Sequence, residues 1–113
     1  MVRFPYRSET AAPLEQATVE VELNPDLPLA LWAAFASDLR ARAVAIRRAT
    51  GAEDRGRIYG QLVGSLGIYG LVHLADCVEA ARAQPDAAEH AHRVCTSLDA
   101  HALAIERELR SAG

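Results

Sequence analysis

The sequence contains no lysine, few aromatic residues and only two cysteines. All 12 of its basic residues are arginines, and 15 acidic residues bring the formal net charge to −3. Because this charge creates no strong electrostatic field, neither a nucleic-acid backbone nor an anionic membrane surface is an expected partner. Without lysine, any recognition of phosphate must rely on guanidinium groups.

Long hydrophobic runs are also missing. The first twenty residues lack the apolar stretch of a secretory signal, and no later run approaches the roughly 20 residues that a membrane span requires. Cys77 and Cys95 lie within helical patterns, with no CxxC pair and no histidine at metal-ligand spacing, which favours reduced core thiols. We therefore expect a cytoplasmic protein that contains no metal ion or other cofactor.

The remaining composition favours an all-α fold. A chain of 113 residues has the size of one domain, and its abundant alanine favours packed helices over sheet. Apolar residues recur at three- and four-residue steps in four segments, which predicts an antiparallel four-helix bundle. These helices are predicted from Pro28 to Ala49, from Glu53 to a break at Gly67–Gly70, from Leu71 to Gln84, and from an N-cap at Asp86 to Ser111. The predicted buried residues are Leu31, Trp32, Phe35, Leu39, Ala43, Ile46, Ile58, Leu62, Leu66, Leu71, Leu74, Cys77 or Val78, Ala81, Ala91, Val94, Cys95, Leu98, Ala102, Ile105 and Leu109.

The chain before the first helix has a different pattern. We predict an N-terminal tail and extended segment over residues 1–24 and the bundle over residues 25–113. Met1 to Pro13 is polar and aperiodic, which is typical of a loosely held tail. Thr18 to Leu23 alternates apolar and polar residues, as a strand does. Such a strand can lie extended against the bundle, which we prefer, or pair with its copy in a homodimer.

Four glycines in the second predicted helix are unusual. Gly56, Gly60, Gly64 and Gly67 follow one another at steps of four, four and three residues, which places them on one helix face. Each glycine destabilises a helix interior by up to about 1 kcal/mol relative to alanine. Two explanations remain open at this point: close packing against a neighbouring helix, or an exposed strip that contacts a partner protein.

The same region resembles the signature of histidine phosphotransfer (HPt) domains. In that family the pattern is His-x-Leu-Lys-Gly-Ser, followed after a few residues by Gly and a spaced Leu. The segment Leu62–Leu71 (LVGSLGIYGL) matches when Gly64 is placed on the first family glycine and Ser65 on the serine. Gly70 then falls on the second glycine and Leu74 on the later leucine. The resemblance implies an HPt-like bundle.

The resemblance also implies that the phosphorylation site is broken. Gly60 stands where the family has its phosphate-accepting histidine, and Val63 stands where it has lysine. Since phosphoryl transfer requires the imidazole nucleophile and a nearby cation, we expect a non-catalytic protein. We expect the face to bind the receiver domain of a response regulator, whose phosphorylation pocket is acidic, or a histidine kinase. The expected partner-binding residues are Arg57, Gly60, Gln61, Val63, Gly64 and Gly67.

The four histidines are candidates for an alternative acceptor. His73 lies thirteen residues after Gly60 and beyond the predicted helix break, so we interpret it as a surface or edge residue. His90, His92 and His101 are interpreted as solvated residues of the fourth helix whose spacing does not suit one metal ion. Three functions follow: an HPt-like module that cannot transfer phosphate, an active phosphocarrier that uses a histidine such as His73, or a structural or dimerising bundle. Gly60 argues against the second, and the sequence does not separate the first from the third.

Overall fold

A computed structural model of the chain describes residues 19–112. The described part contains four helices: α1 (Leu29–Arg48), α2 (Ala52–Ile68), α3 (Val72–Ala83) and α4 (Ala88–Ala112). Helix α1 packs mainly on α4 and α2 mainly on α3, with further contacts between α3 and α4 and between α1 and α2. The predicted all-α, four-helix bundle is confirmed. Within residues 19–112, no helix combines the length and the hydrophobicity that crossing a membrane requires.

Ion pairs between α1 and α4 show that these helices are antiparallel. Arg40 Nη2 lies 2.7 Å from Glu106 Oε1, and Arg47 Nη2 lies 2.8 Å from Asp99 Oδ2. As the residue number rises along α1, the number of its partner on α4 falls. Arg40 donates a second hydrogen bond through Nε, and this bidentate contact lowers the pKa of the Glu106 carboxyl group below its usual value.

The core is close to the predicted one, with differences in both directions. Its largest fully buried side chains are Trp32, Tyr59, Leu39, Leu62, Leu66, Leu71, Leu74, Leu98, Ile105, His101, Val78 and Val94. Ala91 and Leu109 were predicted to be buried and are only partly buried. The residues that are buried without having been predicted so are Val21, Ala36, Tyr59, Ser97, His101 and Ala104.

The prediction for Leu31 is wrong, since this side chain is 46 % exposed. It directly precedes Trp32 and is therefore turned about 100° away from the tryptophan that faces the core. Tyr59 was not predicted to be buried, and its burial raises the pKa of its hydroxyl group.

The predicted N-cap at Asp86 is also wrong. Helix α4 begins at Ala88, so Asp86 lies in the turn before it. The amide of Ala87 donates to the carbonyl of Gln84 at 3.0 Å. This hydrogen bond closes the turn after α3 and delays the start of α4 beyond Asp86.

The segment before α1 packs on the bundle. Val21 is buried in the core, while Val19 and Leu23 are partly buried against it. Glu20 and Glu22 between them are exposed. This alternation agrees with the preferred interpretation of an extended segment lying against the helices. Met1 to Pro13 and Thr18 lie outside the described residues.

The connection between α2 and α3 is a Schellman motif. Gly70 has φ 71°, in the left-handed region that favours glycine. The amide of Gly70 donates to the carbonyl of Gly67 at 3.3 Å, and the amide of Leu71 donates to the carbonyl of Leu66 at 3.1 Å. Leu66 and Leu71 are both fully buried, as the hydrophobic contact of this motif requires.

The aromatic residues fix the same end of the bundle. The ring of Tyr69 stacks on that of Phe35, with centroids 3.8 Å apart and an interplanar angle of 6°. It also meets the ring of Trp32 edge-on at 4.9 Å. Because Tyr69 follows directly after α2, these contacts attach the end of α2 to the first half of α1.

Replacing Gly70 with alanine should destabilise the protein by about 1–2 kcal/mol, because a Cβ atom is disfavoured in the left-handed region. The matched control is Gly64→Ala, within α2, where alanine should stabilise by up to about 1 kcal/mol. Urea denaturation followed by circular dichroism measures both changes. Equal effects of the two substitutions would contradict the structural role assigned to Gly70.

Candidate docking face on α2

The residues expected to bind a partner all lie on α2. Arg57, Gln61 and Gly64 are exposed, while Gly60 and Gly67 are partly exposed. Val63 is partly buried and packs against the hydrophobic core, so only part of its side chain reaches the surface. We call the surface formed by Arg57, Gly60, Gln61, Gly64 and Gly67 the α2 face.

Close packing does not require glycine at positions 56, 60 and 64 of α2. A Cβ atom at Gly64 would find no other atom within 4 Å, apart from its own helix backbone and chain neighbours. A Cβ atom at Gly60 would lie 3.9 Å from Nε of Arg82, and one at Gly56 would lie 3.8 Å from Cβ of Pro85. Both distances are ordinary van der Waals contacts. Of the two explanations for the glycines, the exposed strip therefore fits these three positions better than close packing.

Arg82 of α3 adds a cation to the α2 face. Its guanidinium group lies beside Gly60, with Cζ and Nη2 each 4.0 Å from the place of the missing Cβ atom. Arg82 is paired with Glu79 on its own helix at 3.3 Å, and its side chain is 54 % exposed. Because an exposed pair of this kind contributes little stability, the guanidinium group can exchange Glu79 for a carboxylate of a partner.

Arg57 lies three residues before Gly60 on the same helix and is similarly available. It lies 3.7 Å from Asp54, and its side chain is 63 % exposed. Gln61 is held differently, since its amide oxygen accepts a hydrogen bond from Arg42 of α1. Arg42 also lies 3.5 Å from Asp38. Arg42 and Arg82 therefore contribute two further arginines at the edge of the α2 face, in addition to Arg57, which was the one expected from the sequence.

An exposed apolar side chain extends the face toward the end of α2. Ile68 is 68 % exposed and follows Gly64 by four residues, so it projects from the same side of the helix. Ile68 is not among the residues expected from the sequence to bind a partner. The sequence does indicate that Ile68 is exposed, because Ile68 falls outside the buried stripe of Ile58, Leu62 and Leu66.

The histidines lie elsewhere. His73 is in the first turn of α3, nine residues before Arg82, which places it roughly 13 Å along the helix axis from the level of Gly60. His90 is partly buried and His92 is exposed. The interpretation of His101 as a solvated residue is wrong, because it is fully buried. Its Nδ1 atom lies 2.7 Å from the carbonyl oxygen of Ser97, which gives this imidazole a hydrogen-bond partner inside the core.

Comparisons with known proteins identify no relative. No protein-family model, curated protein or solved structure shows significant similarity to the chain. The resemblance to HPt domains thus depends on the residues of α2 and α3 themselves. Over residues 19–112, no group of three or more histidine, cysteine, aspartate or glutamate side chains is arranged to hold a metal ion.

Gly64→Arg should leave the isolated bundle as stable as the original protein or slightly more stable. The new side chain would project into open space, and arginine forms helices more readily than glycine. Thermal melts measure the effect. A loss of several kcal/mol would indicate that α2 packs against another surface at this position, since an arginine forced into a packed interface introduces overpacking and an unpaired charge.

Proposed function

We propose that the protein is an HPt-like module of two-component phosphorelay signalling that binds a partner through the α2 face and does not accept phosphate. The partner is the receiver domain of a response regulator or a histidine kinase. The observation that carries the proposal is the exposed Gly60–Gly64 surface beside Arg82, at the position where the resemblance expects a phosphorylated histidine. Such a protein acts as a competitor, adaptor or regulator of phosphotransfer.

The chemistry at Gly60 favours binding without transfer. A phosphoryl group can move to this site only if a nucleophile attacks phosphorus, and glycine has no side chain to do so. The neighbouring Arg57 and Arg82 are permanently charged donors that stabilise phosphoryl oxygens but cannot form the new bond. The site therefore retains the electrostatic part of phosphoryl recognition and lacks the reactive part.

Charge complementarity favours an acidic partner surface. Two guanidinium groups are exposed at this strip without side chains: that of Arg57, one turn before Gly60 on α2, and that of Arg82, which lies beside Gly60. A flat strip allows a partner to approach the helix backbone, and these guanidinium groups can then form bidentate hydrogen bonds with its carboxylates. The acidic phosphorylation pocket of a receiver domain has this chemistry. Ile68 adds an apolar contact beside it.

The alternative functions predict different behaviour. A phosphocarrier that uses His73 would have its acceptor at the opposite end of α3 from Arg82, without the arginines of the α2 face. A structural or dimerising bundle would bind neither a receiver domain nor a kinase, and a dimer would form through residues 18–23 or through the glycine strip of α2. Both alternatives are outcomes of the experiments that follow.

Incubation with a phosphorylated receiver domain or an autophosphorylated kinase should leave the protein without acid-labile phosphate. The measurement is transfer of ³²P, followed by acid treatment of the separated chains. The His73→Ala variant serves as the control. If label appears on the original protein and disappears in this variant, the phosphocarrier function replaces the one proposed.

A pull-down against the receiver domains of the source organism should identify a partner, and substitutions in the α2 face should abolish the interaction. Gly64→Arg places a long charged side chain in the partner's space. Arg82→Gln removes a cation and should weaken binding about tenfold or more, since hydrogen bonds between charged groups contribute roughly 1.5–3 kcal/mol. Binding should also weaken as salt concentration rises.

The matched control for charge is Arg107→Gln, an exposed arginine of α4. This variant should bind the partner as the original protein does, as measured by isothermal titration calorimetry. If Arg107→Gln and Arg82→Gln reduce affinity equally, attraction by net charge explains the interaction and the α2 face does not. If no receiver domain or kinase binds at all, the structural bundle is the better interpretation.

A further inference from the structure

A second surface feature lies at the end of the bundle where α1 ends and α2 and α4 begin. It is a cleft of about 270 Å³ between these three helices. Its lining residues are Ile46, Arg47, Ala49, Arg55, Ala88, Ala91, His92 and Cys95. These residues include two arginines and a histidine, and no carboxylate is among them. None of them belongs to the α2 face.

Arg55 is the cation of the cleft that forms no ion pair with a carboxylate of the described residues. Its Nε atom donates a hydrogen bond to the carbonyl oxygen of Pro85 at 2.7 Å, which anchors the guanidinium group and leaves its terminal nitrogens to other acceptors. None of the ion pairs formed within residues 19–112 involves Arg55. Arg47, by contrast, is neutralised by Asp99 at 2.8 Å. The cleft therefore has an excess positive charge that is partly buried.

The start of α4 reinforces this charge. The amide of Ala91 donates to the carbonyl of Ala87, so the amides of the three residues before it have no acceptor within the helix. Ala88 and Ala91 both line the cleft. The positive end of the dipole of this 25-residue helix therefore lies beside the charge of Arg55, and the carboxylate of Glu89 in the first turn offsets part of it.

The rest of the lining is compatible with an anion that has an apolar part. Cys95 is 2 % exposed and its Sγ atom lies 3.5 Å from the carbonyl oxygen of Ala43. Burial raises the pKa of this thiol, so the group is neutral at pH 7 and does not repel an anion. Ile46 and Ala49 provide apolar surface, and His92 provides a ring nitrogen at the rim. The volume falls just below the range of pockets for drug-sized ligands, which indicates a smaller molecule.

We propose that this cleft binds a small organic oxyanion, a phosphate monoester or carboxylate with a compact apolar group, held by the guanidinium group of Arg55 and the first amides of α4. The ligand would lie at the end of the bundle and leave the α2 face open. The inference is independent of the proposed docking function, because it depends on different residues.

The test uses phenyl phosphate as the probe, with phenol as its neutral counterpart and inorganic phosphate as the anion without an apolar group. Heteronuclear NMR of the ¹⁵N-labelled protein follows the amides of Ala88, Glu89 and His90 during each titration. Phenyl phosphate should shift these signals in a saturable manner at constant ionic strength, inorganic phosphate should bind more weakly, and phenol should cause little change. Shifts that do not saturate, or that are equally large with phenol, would overturn the proposal.

Variants separate the cleft from general attraction of anions. Arg55→Gln should increase the Kd for phenyl phosphate about tenfold or more, while Arg93→Gln should leave it unchanged. Arg93 is a suitable control because it is exposed on α4 next to His92 and does not line the cleft. Ala88→Leu provides a second test that retains Arg55, since a larger side chain at the exposed start of α4 should obstruct the cleft. Equal Kd values for all three variants would overturn the proposal, even if one of them were less stable.

Discussion

The turn at Gly70 determines which residues of α3 stand beside α2. The hydrogen bond from the Leu71 amide to the Leu66 carbonyl closes the end of α2, and the positive φ of Gly70 reverses the chain. From there the two helices run back along each other, so that residues equally distant from the turn meet. This register brings Arg82 to Gly60 and Pro85 to Gly56. A one-residue insertion in α3 before Arg82 would rotate the arginine about 100° around its helix and remove it from the α2 face.

The glycines of α2 and its C-terminal turn therefore have different physical roles. Gly70 satisfies a backbone requirement, and Leu66 and Leu71 complete the motif, so this part of the resemblance to HPt domains is explained by helix capping alone. Gly60 and Gly64 lie within α2, and each has room for a Cβ atom. Their cost to the helix has no compensation in the contacts that surround them. This difference favours a role in binding a partner for Gly60 and Gly64, and a role in folding for Gly70.

The helices and most of the core could be predicted from periodicity, because a buried stripe leaves a repeating pattern in the sequence. The predicted burial of Leu31 is wrong because a hydrophobic side chain at the edge of the buried stripe can face either the core or the solvent. His101 was misjudged because residue type alone favours exposure, whereas a hydrogen bond to the carbonyl of Ser97 allows its burial on α4. Asp86 was misjudged because the hydrogen bonds of the preceding turn, which the sequence does not display, delay the start of α4.

The spacing of residues in the sequence predicts only those members of the candidate site that lie on a single helix. Arg57, Gln61 and the glycines share a face by spacing, which requires no knowledge of other helices. Arg82 comes from α3 and depends on the register of the α2–α3 pair. Counting outward from Gly70 and Leu71 in both directions pairs Gly56 with Pro85 and brings Gly60 to within one residue of Arg82, so this neighbourhood can be inferred from the sequence once the turn is located. The cleft near Arg55 is lined by residues of three helices, and no spacing in the sequence indicates that these residues meet.

The most direct test of the central claim is to restore the missing nucleophile. In Gly60→His the new Cβ atom lies at ordinary van der Waals distance from Arg82, whose guanidinium group can take the place of the cation that the family pattern supplies with lysine. If the α2 face is an HPt-like docking face that lacks only its acceptor, this variant should gain acid-labile phosphate from a phosphorylated receiver domain that binds the original protein. Labelled phosphate on the variant and none on the original protein is the predicted result. A folded variant that binds the receiver domain with undiminished affinity and remains unlabelled would contradict the account.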